Sequence, residues 1–202
     1  MWDKLIVSQF ISLYDIEINA NLNIIEKQQK MLSIVEGKPE SYYDSFKYRD
    51  LITEYGEKLS FFDNMPETKP VDFLQVGNKR YKFVHELNEI IAGQYIDILA
   101  FSGEIMQLNK IAACFFLPME GKRYLPYGKV PHDVVAEELL NAKFLDVYGC
   151  MLFFCQLFNE LIADTIISSV MNQELAKKVV DLWRGGGGYS ALSRWQTSTI
   201  SA

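Results

Sequence analysis

Histidine is nearly missing: only His85 and His132 occur in the 202 residues. A histidine-rich zinc site is therefore excluded. His85-Glu86 opens like a zincin helix, but position 89 is Glu89, so the second histidine is absent. Cysteine is almost as scarce. Cys114, Cys150 and Cys155 form an odd set without framework spacing, all inside apolar runs, which points to reduced structural thiols in an intracellular setting. Cys150 and Cys155, five apart, point in different directions on a helix. A basic excess is lacking too. Twenty Lys and Arg stand against 26 Asp and Glu, a formal charge of −6, which argues against nucleic acid as the primary ligand. No run is long and apolar enough for a membrane span. The most apolar one, 147–158, is interrupted by Gln156 and followed by Asn159 and Glu160. The start, MWDKLIVSQFISLYD, lacks the basic region and small-residue cleavage site of a signal peptide, so none is expected.

Catalytic signatures are missing as well. The four glycines 185–188 resemble a phosphate cradle in composition alone. A P-loop needs a preceding strand and a following Lys-Ser/Thr, whereas here a helical pattern precedes and Tyr-Ser follows. No nucleophile elbow and no Cys–His arrangement is visible. Glu86, Glu89, Asp97 and Glu104 are candidate carboxylates for acid–base work, against the plain reading of solvated helix faces. No metal and no cofactor is expected.

What is present is a core-forming composition, 49% hydrophobic and 13% aromatic, enough for one domain or one plus a small appendage. The chain is organised around 71–118. Gly77-Asn78 reads as the two-residue connection of a hairpin. That register sets Val76 opposite Lys79, Leu74 opposite Tyr81 and Asp72 opposite Phe83. Leu74, Val76, Tyr81 and Phe83 then share one face; Phe73, Gln75, Arg80 and Lys82 share the other. Such a ribbon is stable only when its apolar face lies on something.

Before the hairpin the pattern predicts three helices in a unit spanning 1–62. The first carries Leu5, Gln9 and Leu13 on one face. IEINANLN at 16–23 also alternates like a strand, and helix followed by a break at 19–23 is favoured. The second runs through Ile25, Gln28, Leu32 and Val35 and stops at Gly37 and Pro39. The third is expected at 44–59. DNMPETKPVD, with Pro66 and Pro70, reads as the linker to a main domain at 71–184. A unit of about sixty residues buries little core alone, so it is expected to dock on the rest or on a partner. In the main domain helices are predicted at 89–101, at 104–117 ending at Pro118, from Asp133 as N-cap through Phe144, at 147–172 as the central helix, and at 174–183. The second half of the central helix sets Gln156, Glu160 and Asp164 in one polar stripe. The stretch MEGKRYLPYGKVP is the longest irregular segment. It reads either as a functional loop or as a surface excursion packed by Tyr124 and Tyr127. The fold class is mainly α with one small β-hairpin, an α+β protein.

LIVSQFISLYDIE, IIEKQQKMLSIVEGK, FLQVGNKRYKF, IAGQYIDI and LNKIAACFFLP, in that order, resemble tailed-bacteriophage morphogenesis proteins. These belong to phages of Bacteroidetes, crAss-like phages included, and are structural proteins or tail-assembly chaperones. The resemblance covers roughly residues 4–160 and is carried chiefly by 93–97. The stretch 42–61 and the tail after Gly185 depart from the pattern. It implies no catalytic residues, other phage structural or assembly proteins as partners in a multi-subunit assembly, and a place in the virion or host cytoplasm.

The expected function is accordingly a non-enzymatic structural or morphogenesis role through protein–protein contacts. The alternative is a small intracellular enzyme using a carboxylate or tyrosine near 119–131. The glycines 185–188 read as a hinge to an arm, 185–202, in which Tyr189, Leu192, Arg194 and Trp195 are the candidate partner-binding residues. Tyr, Trp and Arg dominate interface energetics. The arm either docks on a neighbour or folds back onto its own helices.

Overall fold

The computed structural model describes residues 1–168 apart from 65, 87–88 and 102–103, and of 156 and 158–168 only the backbone. The chain is predominantly helical with a small antiparallel sheet, an α+β fold. After a 3-10 turn at Trp2–Lys4 come α1 (Val7–Ile18), α2 (Ile24–Glu36), a 3-10 turn at Glu40–Ser45, and α3 (Tyr48–Leu59). Then follow β1 (Phe73–Val76), β2 (Lys79–Phe83), α4 (Ala92–Phe101), α5 (Leu108–Phe115), β3 (Phe116–Glu120), β4 (Arg123–Tyr124), α6 (His132–Leu139) and α7 (Phe144–Ser168).

Local chemistry explains the helix ends. Asn23 accepts from the backbone N–H groups of Ile25 and Glu26, at 2.9 and 3.0 Å, while Glu26 Oε2 accepts from Asn23 N at 2.8 Å. This reciprocal box satisfies donors that a helix start otherwise leaves open. Gly37 closes α2 in the left-handed region at φ 67°, where a Cβ is penalised. The third expected helix is shorter than 44–59. Residues 40–45 wind as a 3-10 turn, and Phe46 and Lys47 are extended before α3 begins.

The hairpin has the expected register, Leu74 opposite Tyr81 and Val76 opposite Lys79, and Phe83 N donates to Asp72 O at 3.0 Å. Positive φ falls on Gly77 alone, at 55°, which is the type II′ pattern with glycine first. Leu74, Tyr81 and Phe83 are buried. On the other face the Phe73 ring lies 3.9 Å from the Arg80 guanidinium carbon and 4.8 Å from Lys82 Nζ.

One hairpin is too little, because the sheet has four strands in the order β1-β2-β3-β4. The helix expected through 117 stops at Phe115, and the chain turns extended so that Phe116 pairs with Phe83 and Pro118 with Tyr81. Pro118 thus lies within a strand rather than ending a helix. The segment 119–131 is also more ordered than expected. Met119 pairs with Tyr124 and Glu120 with Arg123 around Gly121-Lys122, with Gly121 at φ 62°. Two more boundaries move. Helix α6 starts after Pro131 without a side-chain cap, so Asp133 lies in its first turn rather than at its N-cap. It ends at Leu139, and Phe144 begins α7 instead of closing α6.

The core is continuous from the N-terminal helices to α7. Phe10 stacks on Phe144 at 3.9 Å between ring centres, and Trp2 lies 5.4 Å from Phe144 while its indole N–H donates to Asn64 O at 3.1 Å. Backbone bonds reinforce this contact. Val7 N donates to Ala142 O and Phe144 N to Leu5 O, both at 2.9 Å. Gln9, on the predicted helical face, donates to Ile34 O at 3.4 Å and so ties α1 to α2.

The segment around Pro66 and Pro70 lies against α7. Thr68 Oγ1 donates to Leu145 O at 3.3 Å, and Val71 N lies 3.3 Å from Cys150 Sγ. The contact forms over Gly149, where an added Cβ would stand 2.6 Å from Lys69 O. Among the described residues no helix is long and apolar enough to cross a membrane.

Candidate functional site

The structure gathers one compact polar cluster, at the place where sequence reasoning set its enzymatic alternative. Helix α4 supplies Gln94 and Asp97, α5 supplies Lys110 and Cys114, the segment after β4 supplies Tyr127, and α6 starts with His132. Gln94 is buried, and its amide donates to Cys114 O at 2.7 Å. That carbonyl lies in the last turn of α5, where helix carbonyls otherwise lack donors. Tyr127 O–H donates to Asp97 Oδ2 at 2.6 Å. Burial, and then the Asp97 carboxylate, hold the Tyr127 hydroxyl well above its ordinary pKa.

His132 Nε2 lies 2.9 Å from Lys110 O and 3.7 Å from Cys114 Sγ. A carbonyl only accepts, so Nε2 carries the proton and donates. The nitrogen nearest the thiol is therefore not a free base. The thiol points to Lys110 O at 3.6 Å, and burial pushes its pKa up to about 12. A thiolate nucleophile needs the opposite, an exposed electropositive setting. The imidazole also stacks on Phe101, with ring centres 5.0 Å apart and planes at 10°. The Gln94 amide, the Tyr127 hydroxyl, the His132 N–H and the Cys114 thiol thus each have an acceptor inside the fold, and the arrangement fastens 119–131 and the start of α6 to α4 and α5.

The four candidate carboxylates do not converge. Asp97 takes Tyr127, Glu89 takes Tyr124 O–H at 3.4 Å, Glu104 accepts from Gln107 at 3.0 Å, and Glu86 Oε2 accepts from His85 N at 3.2 Å. His85 packs between rings, 5.2 Å from both Phe83 and Phe153. Among the described residues no group of three or more His, Cys, Asp or Glu is placed to hold a metal ion.

A second feature is apolar and faces outward. On and beside α4, Ile91, Tyr95 and Ile96 are 53%, 39% and 63% exposed, while Gln94 and Ile98 point inward. Ile18, Ile24 and Ile25 are likewise exposed around the α1–α2 connection. Sequence periodicity did not single out Ile18, Ile24, Ile91 or Ile96, it set Ile25 in the stripe of the second helix although that residue is exposed, and Gln94 was missed as a buried amide. Its one signal was its place four residues before Ile98, on the same helix face. The expected partner-binding residues Tyr189, Leu192, Arg194 and Trp195, the glycines 185–188 and the helix 174–183 lie outside the described residues, as do the side chains of Gln156, Glu160 and Asp164. Comparison with known proteins finds no matching family model, no matching curated protein and no matching solved structure.

Proposed function

We propose that this protein is an interaction protein without catalysis of its own, a component of a tailed-phage particle or of the machinery that assembles it. Its partners are other phage structural or assembly proteins. The observation that carries the reading is the outward apolar face of α4. Tyr95 and Ile96 on α4, and Ile91 just before it, stand exposed on a segment whose other face is fixed to the core. Grouped apolar side chains on a surface favour contact with another protein over contact with water. The segment resemblance in 93–97 lies on this same helix and supplies the phage context. The polar cluster fits the same reading, since its hydroxyl, imidazole and thiol are all directed to acceptors within the fold.

The test is proteomic. Particles and assembly intermediates purified from the producing host, analysed by mass spectrometry, are expected to contain this chain in a stable ratio to other particle proteins. Ile96→Lys, together with Ile91→Lys, is expected to remove it from those complexes without lowering the melting temperature. A chain that associates with no particle protein, in wild-type form and at native expression level, refutes the reading.

A further inference from the structure

The sheet has a free edge. Among the described residues no strand lies beyond β1, and its register with β2 runs unbroken. Phe83 N donates to Asp72 O, so Asp72 turns its backbone groups toward β2, and in an antiparallel pair such positions alternate. Leu74 and Val76 therefore face β2 as well, while the N–H and C=O groups of Phe73 and Gln75 point away from the sheet. Both of those residues are exposed. The Gln75 side chain does not cap this edge, because its amide donates to Gly77 O at 2.7 Å. An exposed edge is ordinarily blunted by lysine, proline, a bulge or an inward-pointing charge. The strand Phe73–Val76, FLQV, has none of these.

Charge is supplied instead from one strand further in. Arg80 and Lys82 stand on β2, opposite Gln75 and Phe73. Both heads lie over the Phe73 ring, at 3.9 and 4.8 Å, which holds the guanidinium above the edge strand. Lys79 and Lys82 have carboxylate partners, Glu138 and Asp72. Among the described residues Arg80 has no carboxylate, only the ring beneath it. In a chain of net charge −6, an unpaired cation thus stands beside open backbone donors and acceptors.

We propose that β1 receives an extended acidic segment of another assembly protein as an added strand, with a carboxylate side chain set on the Arg80 guanidinium. Main-chain bonds to Phe73 and Gln75 supply the affinity, and the carboxylate supplies the selection. A second copy of β1 is disfavoured as the occupant, because its own Arg80 and Lys82 would be brought against these cations. A phosphodiester backbone is disfavoured too, since it offers no donors to the two free carbonyls. The inference rests on the interaction role proposed above and adds to it a second contact surface and the chemistry of its partner.

The experiment adds the peptide acetyl-TEVEVET-amide to the isotope-labelled full-length protein and follows its amides by NMR. Saturable shifts of the Phe73 and Gln75 amides are expected, with their hydrogen exchange slowed as they gain acceptors. Arg80→Glu is expected to weaken binding about tenfold, the loss of one charge-assisted bond, and to favour a peptide with lysine in place of glutamate. Gln75→Pro removes an outward N–H without touching the ladder to β2 and is expected to abolish binding. Two N-methylated peptides leave the protein itself unaltered. Methylating one alternate set of residues is expected to abolish binding and methylating the other to spare it, because only one edge of the added strand faces β1. Shifts that spare Phe73 and Gln75, N-methylated peptides that behave alike, or a lysine peptide that binds wild-type protein as well as the glutamate one each overturn the proposal. Oligothymidylate binding at these amides in place of the peptide overturns it too, as do concentration-dependent shifts of the same amides without peptide, the sign of self-pairing. No particle is involved, so absence of peptide binding overturns this site alone and leaves the interaction role to the proteomic test.

Discussion

Replacing Gly149 by alanine sets two effects of opposite sign against each other. Inside a helix, Gly→Ala usually gains about 1 kcal/mol. At Gly149 the new Cβ would stand 2.6 Å from Lys69 O, 2.9 Å from Thr68 Oγ1 and 3.0 Å from Lys69 C. Two of those atoms are backbone, so the strand of chain lying on α7 has to move. Overpacking of this kind costs about 1–3 kcal/mol. The movement also strains the Thr68 bond to Leu145 O and the Val71–Cys150 contact, each worth about 0.5–1.5 kcal/mol. The net expectation is a loss of about 1–3 kcal/mol. Gly56 on α3 is the control: it is exposed, and a Cβ there meets nothing within 4 Å. Gly56→Ala is expected to stabilise by up to about 1 kcal/mol. At about 2–4 °C per kcal/mol for a chain of this size, the two variants should melt roughly 5–15 °C apart. Urea unfolding followed by circular dichroism measures the difference. Limited proteolysis adds a second readout, because Gly149→Ala should expose 66–70 to cleavage. If both alanines stabilise equally, the close approach over α7 is wrong.

Gly77→Val should destabilise the fold by about 1–3 kcal/mol in urea unfolding, because a β-branched residue resists the φ of 55° found there; no change would mean that the turn is not held at positive φ. Hydrogen bonds from Lys38, Tyr43 and Lys58 hold the Glu36 carboxyl down at about 2 against an ordinary 4.5. Its folded pKa lies below the unfolded one, so its contribution is full above about pH 4.5 and lost as pH falls toward 2. The shift sets a ceiling of about 3 kcal/mol, and screening at the 40% and 38% exposed lysines reduces the expectation to about 1–2 kcal/mol. Glu36→Gln should therefore flatten stability between pH 5 and pH 2.5, and an unchanged acid slope would count against the network. Burial raises the thiols of Cys114 and Cys150 to about 12, so both should resist a disulfide reagent at pH 8 until denaturant is added. Fast native labelling of either one, located by peptide mapping, would contradict their placement.

The parts of the fold that were legible in the sequence are those decided locally. The break at 19–23 and the stop at Gly37 and Pro39 bracket α2 within a few residues, although the Asn23–Glu26 capping box went unread, and Gly77-Asn78 fixes a register because the loop length leaves no other pairing. Strand β3 was not legible. Phe116 and Leu117 continue the apolar stripe of α5, and only the distant partners Phe83 and Lys82 decide that they are extended. Pro118 was consistent with either reading, since a helix stop and the mid-strand point where β3 leaves its pairing with β2 both tolerate a missing N–H. The second hairpin went unseen because Gly121-Lys122 is flanked by polar and aromatic residues without clean alternation. The cluster of Gln94, Asp97, Cys114, Tyr127 and His132 has no diagnostic spacing, because separate elements bring its members together.

That cluster bears on the surface beside it. Asp97 and Gln94 face inward on the same helix that presents Tyr95 and Ile96 outward, with Ile91 exposed just before its first turn. Their bonds to Tyr127 and to the end of α5 hold α4 at two successive turns, so the outward side chains are presented on a backbone with little freedom left to lose. A contact made by such a face avoids part of the ordering cost that a loose helix would incur on binding. The buried polar residues and the exposed apolar ones on α4 are then two sides of one arrangement, in which saturated internal hydrogen bonds set the orientation of a surface formed by exposed side chains.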